Sequence, residues 1–128
     1  MTANQKTIKI WLNAYLPPLL WAAVIFILSS QQVLPGFTVS LMDFILKKSA
    51  HAFVYGMLYF LFARAVDMTT SPQQKKTRLF LPIFIVILYA VSDEIHQSFV
   101  PNRFGTLRDV GYDILGLLMV LLRRYKYI

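Results

Sequence analysis

The chain has 128 residues, 57% of them hydrophobic and only 15% charged, where a soluble domain carries about 25% charged residues. A chain this short and apolar lacks the polar surface to cover itself, so lipid is its solvent and residues 1–128 read as a single membrane domain. The net charge of +7 does not point to nucleic acid, because the basic residues sit at the ends of apolar runs. The absence of cysteine excludes a disulfide framework and a thiolate zinc site. No cleavable signal peptide is expected, since the first apolar run is too long and lacks a small-residue cleavage site.

Met1 to Lys9 reads as a short basic tail. The first span covers about 10–29, the ~20 residues needed to cross about 30 Å of hydrocarbon. Pro17 and Pro18 lie inside it and are expected to kink it, and Trp11 and Tyr15 anchor one end at the interface. Ser29-Ser30-Gln31-Gln32 and then Pro35-Gly36 close the helix and open a loop. Leu41 to Leu46 is apolar but short, and reads as an interfacial turn. The second span covers about 48–65, and Asp67 to Arg78 is a polar connector. The third span covers about 79–97, its far end carrying Asp93, Glu94 and Gln97. Pro101 to Gly105 is a turn. Thr106 followed by Asp109 fits a capping box that starts a fourth span, about 106–122.

The expected fold is therefore all-α: a polytopic bundle of four transmembrane helices. Four spans place both termini and the Asp67–Arg78 connector on one side. That side holds nine of the thirteen basic residues against one acid, Asp67. The basic side faces the cytoplasm, so both termini are cytoplasmic and the acidic end faces outward.

The segment 92–113 holds four of the six carboxylates, and charge between membrane helices is by default a functional site. Lys48, His51 and Tyr55 are spaced i, i+3, i+7 on one helix face. Glu94 and Gln97 are i, i+3 on the next span, with Asp93 and His96 beside them. Asp109, Asp113 and Gly116 are i, i+4, i+7 on the last. All three stripes lie at outer helix ends and can converge, with Arg103 and Arg108 closing the pocket from the intervening turn.

This pattern, Lys48-x-x-His51-x-x-x-Tyr55 and then Glu94-x-x-Gln97-x-x-x-Pro101-x-Arg103-x-x-Thr106-x-x-Asp109-x-x-x-Asp113-x-x-Gly116, closely resembles the VanZ-like family of bacterial membrane proteins, as does the Ser29-Ser30-Gln31 end of the first span. The family is named for a protein linked to low-level teicoplanin resistance. The resemblance implies a bacterial cytoplasmic-membrane protein acting at the envelope, near peptidoglycan precursors or lipid. Asp113 stands where many members are expected to have Asn, so here the group is either protonated or paired with a cation.

Each feature also has a structural reading. His51 can be a helix–helix hydrogen bond and Gly116 a close helix contact. Lys48 can snorkel to the interface, and Asp93 and Glu94 can be solvated at a helix end. Arg103 with Asp109 or Asp113 can be a fixed ion pair, Asp109 an N-cap partner, and Tyr55 a packing residue. Convergence favours function, because a purely structural network needs fewer charges. Three functional classes stay open. One is a binder of a membrane lipid, a lipid-linked envelope precursor or another anionic headgroup, through Lys48, Tyr55, Asp93, Gln97, Arg103, Arg108, Asp109 and Asp113. The second is a membrane enzyme on a lipid-linked substrate, with His51 or Glu94 as general acid or base. The third is a metal site from His51, His96 and Glu94 or Asp93, a set that suits zinc but lacks the support of a close His-x-x-x-His pair. A small assembly partner for an envelope machine is a fourth, nonenzymatic reading. The first two are favoured, and neither implies a cofactor.

The charge asymmetry makes the topology testable in intact cells. Of the single substitutions Gln32→Cys, Gln74→Cys and Lys126→Cys, only Gln32→Cys should react with a membrane-impermeant maleimide. External labelling at position 74 would invert the arrangement.

Overall fold

A computed structural model describes residues 3–31, 40–101, 103 and 105–127. Four helices follow in order: α1 Ala3–Ser29, α2 Ser40–Thr69, α3 Lys75–Ser98 and α4 Leu107–Arg124. The expected loop around Gln32 and Pro35-Gly36, and Asn102 and Phe104 of the expected turn, lie outside the described residues, as do Met1 and Thr2 of the expected tail. Three helices are long and apolar enough to cross a membrane, over Asn4–Ser29, Leu41–Thr69 and Lys75–Ser98. The fourth has 18 residues, about 27 Å of rise, and carries Arg108, Asp109 and Asp113 near one end and Arg123 and Arg124 at the other.

Helices α1, α2 and α3 extend beyond the sequence expectation, and of the expected Asp67–Arg78 connector residues 67–69 belong to α2 and 75–78 to α3. Residues 3–9, read as a tail, are the first turns of α1. Leu41 to Leu46, read as a separate turn, is continuous with α2. No Pro or Gly interrupts 40–55. Asp43 sits in the first turn, where a carboxylate complements the helix dipole. It also pairs at i, i+4 with Lys47, at 2.6 Å.

Pro17 and Pro18 are carried inside α1. Pro17 has no N–H for the carbonyl four residues back, and that carbonyl, Asn13 O, accepts instead from Arg64 Nη1 of α2 at 3.3 Å. A freed backbone group is thus satisfied by a neighbouring helix, as membrane helices require.

Helix α2 touches all three of the others. Its Tyr55, Leu58, Tyr59, Phe62 and Ala63 form the core with Ile25 of α1, Val86 and Ala90 of α3, and Val110 and Leu117 of α4. Outward, large apolar side chains are exposed along every helix, among them Leu19, Phe53, Phe84 and Met119. In water this would be a severe liability; in lipid it is the solvated face. Two indole and phenol groups tie the helices at mid-depth: Trp21 Nε1 donates to Val54 O at 2.9 Å and Tyr89 OH to Ala22 O at 2.6 Å.

The connections are antiparallel, so the two ends of the bundle differ. At the basic end Asp67 of α2 accepts from Arg78 Nε of α3 at 2.7 Å and from Arg124 Nη2 of α4 at 2.8 and 2.7 Å. The one acid on that side therefore ties three helices together. Helices α2 and α4 approach most closely through Gly116, where a Cβ would fall 1.8 Å from Ala52 O. Small residues at helix crossings permit such backbone contact.

Gly116→Ala should force α2 and α4 apart and lower stability by about 1–3 kcal/mol, as overpacking does. Gly111 has nothing within 4 Å of a Cβ, so Gly111→Ala should be neutral or stabilise by up to about 1 kcal/mol. Reversible unfolding by titration with SDS measures both.

Candidate functional site

At the opposite end, Asp93, Glu94, Asp109 and Asp113 are all buried, at 4, 6, 8 and 1% exposure. A buried carboxylate has to be hydrogen-bonded, paired or neutralised. The stripe Lys48, His51 and Tyr55 on α2 meets three of the four in turn. Lys48 Nζ pairs with Asp109. His51 Nδ1 lies 2.8 Å from Asp113 Oδ1. Tyr55 OH donates to Asp93 Oδ2 at 3.0 Å. The i, i+3, i+7 spacing thus becomes a ladder of contacts from α2 to α3 and α4.

Asp93 is the best-satisfied acid. Its Oδ2 also accepts from Ser29 Oγ at 2.8 Å and Gln97 Nε2 at 3.0 Å, so α1, α2 and α3 all converge on one oxygen. Gln97 Oε1 in turn accepts from Arg103 Nη2 at 3.2 Å. The other Arg103 terminal nitrogen donates to Leu28 O and Gln31 O, both at 3.2 Å. These carbonyls lie at the C-terminal end of α1 and just past it, where a helix runs out of intrahelical donors; Leu28 O accepts from Gln31 N as well, at 3.2 Å. Arg103 therefore caps α1 and does not form the expected pair with Asp109 or Asp113. Those acids are met from α2 instead, Asp109 by Lys48 and Asp113 by the His51 ring.

Glu94 is bound through backbone. Thr106 N donates to Glu94 Oε2 at 2.9 Å, while Thr106 Oγ1 accepts from Asp109 N at 3.3 Å. The capping box is thus formed with one change. The acid that serves the N-cap amide is Glu94 from α3, because the Asp109 carboxylate is held by Lys48. Gly105 makes this approach possible: a Cβ there would meet Glu94 O at 2.0 Å.

Of the expected site residues, Lys48, His51, Tyr55, Asp93, Glu94, Gln97, Arg103, Asp109 and Asp113 all bond at this end. Arg108 does not join them; it is exposed and bonds to none of the described residues. His96 also stands apart from His51, with Nε2 3.0 Å from Ser30 Oγ and its ring stacked on Phe26 at 4.6 Å. The sequence reading passed over Ser29 as a site residue, although a serine ending an apolar span was the available signal. The Thr106 amide and Gly105 carried no side-chain signal.

Three of the four buried carboxylates of this cluster keep one oxygen without a hydrogen-bond partner among the described residues: Asp93 Oδ1, Glu94 Oε1 and Asp113 Oδ2. His51, Glu94 and Asp113 each present a donor atom within 4.8 Å of the other two. The arrangement can orient an imidazole, take up a proton or hold a cation.

Beside this cluster, an open apolar groove of about 840 Å³ runs between α2 and α4. It extends from Phe44 and Lys48 past Ala52 to Phe60 on α2, and from Tyr112 to Met119 on α4. Lys48 Nζ stands over the Phe44 and Tyr112 rings, 5.6 and 5.5 Å from their centroids.

The sequence model of the VanZ/LLP1 family matches residues 14–123. No curated protein matches the chain, and no solved structure does.

Hydrogen bonds to a charged group contribute about 1.5–3 kcal/mol each. Ser29→Ala and Tyr55→Phe should each destabilise by about that amount. Because both donors serve one oxygen, the double variant should depart from additivity by at least about 0.5 kcal/mol. A double-mutant cycle of SDS unfolding free energies reads this directly.

Proposed function

The chain belongs to the VanZ/LLP1 family, and from that premise we propose that it is a four-span protein of the bacterial cytoplasmic membrane, both termini cytoplasmic, whose outward polar pocket binds an anionic or lipid-linked envelope ligand and contributes to tolerance of teicoplanin-type antibiotics. The observation that carries the binding reading is the groove between α2 and α4 with cations at its mouth. From Phe44 to Phe60 it follows about 24 Å of helix, which suits an acyl or polyprenyl chain. Lys48 lines its upper end. Arg108 lies one turn above Tyr112 at i, i+4, on the same stripe as Leu115 and Met119. An exposed guanidinium that bonds to none of the described residues is suited to bidentate contact with phosphate or carboxylate. Chain in the groove and headgroup at Arg108 and Lys48 is the arrangement an amphiphile takes.

Reading α4 as the fourth span is supported by its contacts at both ends. Asp109 meets Lys48 at one end and Arg124 meets Asp67 at the other. The outward orientation of the acidic end rests on the excess of Lys and Arg at the opposite end.

A second reading is favoured by a different observation. His51 is oriented by Asp113 with the half-bonded Glu94 beside it, the base-and-orienter geometry of acid–base catalysis. In that reading the protein is a membrane enzyme acting on the same class of lipid-linked substrate.

The two readings separate on two substitutions. Arg108→Ala should weaken phosphatidylglycerol binding to the purified protein about tenfold to a hundredfold, the loss of one charge-assisted contact. Glu94→Gln should leave that binding within about threefold by the same measure, since it removes no cationic donor. If Glu94 is a general acid or base, turnover of a lipid-linked substrate should fall about 10²–10⁴-fold with binding intact. Native mass spectrometry with phosphatidylglycerol, beside teicoplanin susceptibility of cells carrying each variant, supplies the readouts. Unchanged binding and susceptibility in both would make the pocket purely structural.

A further inference from the structure

Among the described residues, the four buried carboxylates receive one full positive charge by direct contact, from Lys48 on Asp109. Arg103 is turned to an amide oxygen and two backbone carbonyls. Asp93 has three neutral donors. Glu94 has one amide, and Asp113 has the His51 ring. Glu94 and Asp113 are each more than nine-tenths buried, and each keeps one oxygen without a partner. Uncompensated carboxylates in such surroundings are costly, so this group lacks a cation or one or more protons.

The geometry points to a cation: we infer that His51, Glu94 and Asp113 form a three-ligand site for a divalent first-row transition metal, zinc being the best match. One donor atom from each residue lies within 4.8 Å of the others. Tetrahedral bonds of about 2.0–2.2 Å place donors on one ion about 3.3–3.6 Å apart, so rotation of the side chains that brings each pair closer by up to roughly 1–1.5 Å closes the group. One imidazole nitrogen with two carboxylates suits zinc or a neighbouring metal. Calcium, which takes 6–8 oxygen ligands, fits poorly. The three ligands come from three helices and share no sequence motif. His96 is outside the group.

Three protein ligands leave a position open, as in zinc sites that act on a substrate. None of the three ligands lines the groove, so the metal site stands on the chain's own donors and does not depend on the lipid-binding reading.

The test uses the full chain purified in detergent without chelator. Elemental analysis should find close to one equivalent of zinc per chain. After stripping with a chelator, zinc titrated in competition with a chromogenic chelator should restore one equivalent and raise the unfolding temperature in a concentration-dependent way. His51→Asn, Glu94→Gln and Asp113→Asn should each weaken zinc binding by at least about 100-fold, the upper end of what loss of an outer-shell partner alone does. His96→Gln should leave it within a few-fold. Helical circular dichroism checks that each variant folds. X-ray absorption on the zinc-loaded wild type, expected to show one imidazole among N/O ligands, serves if a variant does not fold.

Failure of the stripped wild type to take up stoichiometric zinc overturns the inference and leaves the carboxylates neutralised by protons. Equal loss in His96→Gln, or absorption data without imidazole, also overturns it, as adventitious binding. Phosphatidylglycerol binding is followed on the stripped and zinc-loaded samples. Its absence in both would sink the lipid reading while leaving the metal site intact, and lipid binding without zinc uptake would do the reverse.

Discussion

The burial of four carboxylates at one end of the bundle is the constraint to which the surrounding structure answers. Desolvation makes each of them expensive, and each is met from a different helix. Asp93 draws Ser29 of α1 and Tyr55 of α2 to a single oxygen. Asp109 and Asp113 draw Lys48 and His51 of α2 to α4. Glu94 draws the first amide of α4 to the end of α3. Removing any one acid would leave a donor from another helix without its acceptor. The polar end is therefore a register device as well as a candidate site.

The opposite end uses the same logic with the signs reversed. A single acid, Asp67, collects arginines from α3 and α4. Between the two ends, packing replaces charge. Small residues at Ala52, Gly56 and Gly116 let α2 and α4 approach to backbone contact, and that approach also forms the floor of the groove. The crossing that stabilises the pair and the groove proposed to receive a lipid chain are one feature. Enlarging a residue there would alter both at once.

Much of this was legible in the sequence because membrane helices obey strong local rules. Apolar length gave the helices, the Lys/Arg bias gave two distinguishable ends, and the i, i+3, i+7 stripe named Lys48, His51 and Tyr55 before any partner was known. The family resemblance agreed with the later match. Helix boundaries were less legible, because backbone hydrogen bonds persist past the last apolar residue. Residues 3–9 join α1 for that reason, and 41–46 join α2 because Lys47 and Lys48 interrupt the apolar run but not the helix.

Composition and periodicity by themselves determined that the chain is helical and apolar, and that its acids gather at one end. They also fixed which side chains share a helix face. Only the tertiary structure decided the partners. The charges alone favour pairing Arg103 with Asp109 or Asp113, but in the folded chain Arg103 bonds Gln97 Oε1 and the carbonyls of Leu28 and Gln31, while Lys48 and His51 meet those acids. Asp109 was expected to complete its own helix cap, but Lys48 holds it, so Glu94 takes the Thr106 amide. His51, Glu94 and Asp113 are 43 and 19 residues apart in the chain, spacings that match no metal motif. Pattern reading sees only separations of a few residues, and packing three helices side by side is what brings such donors together.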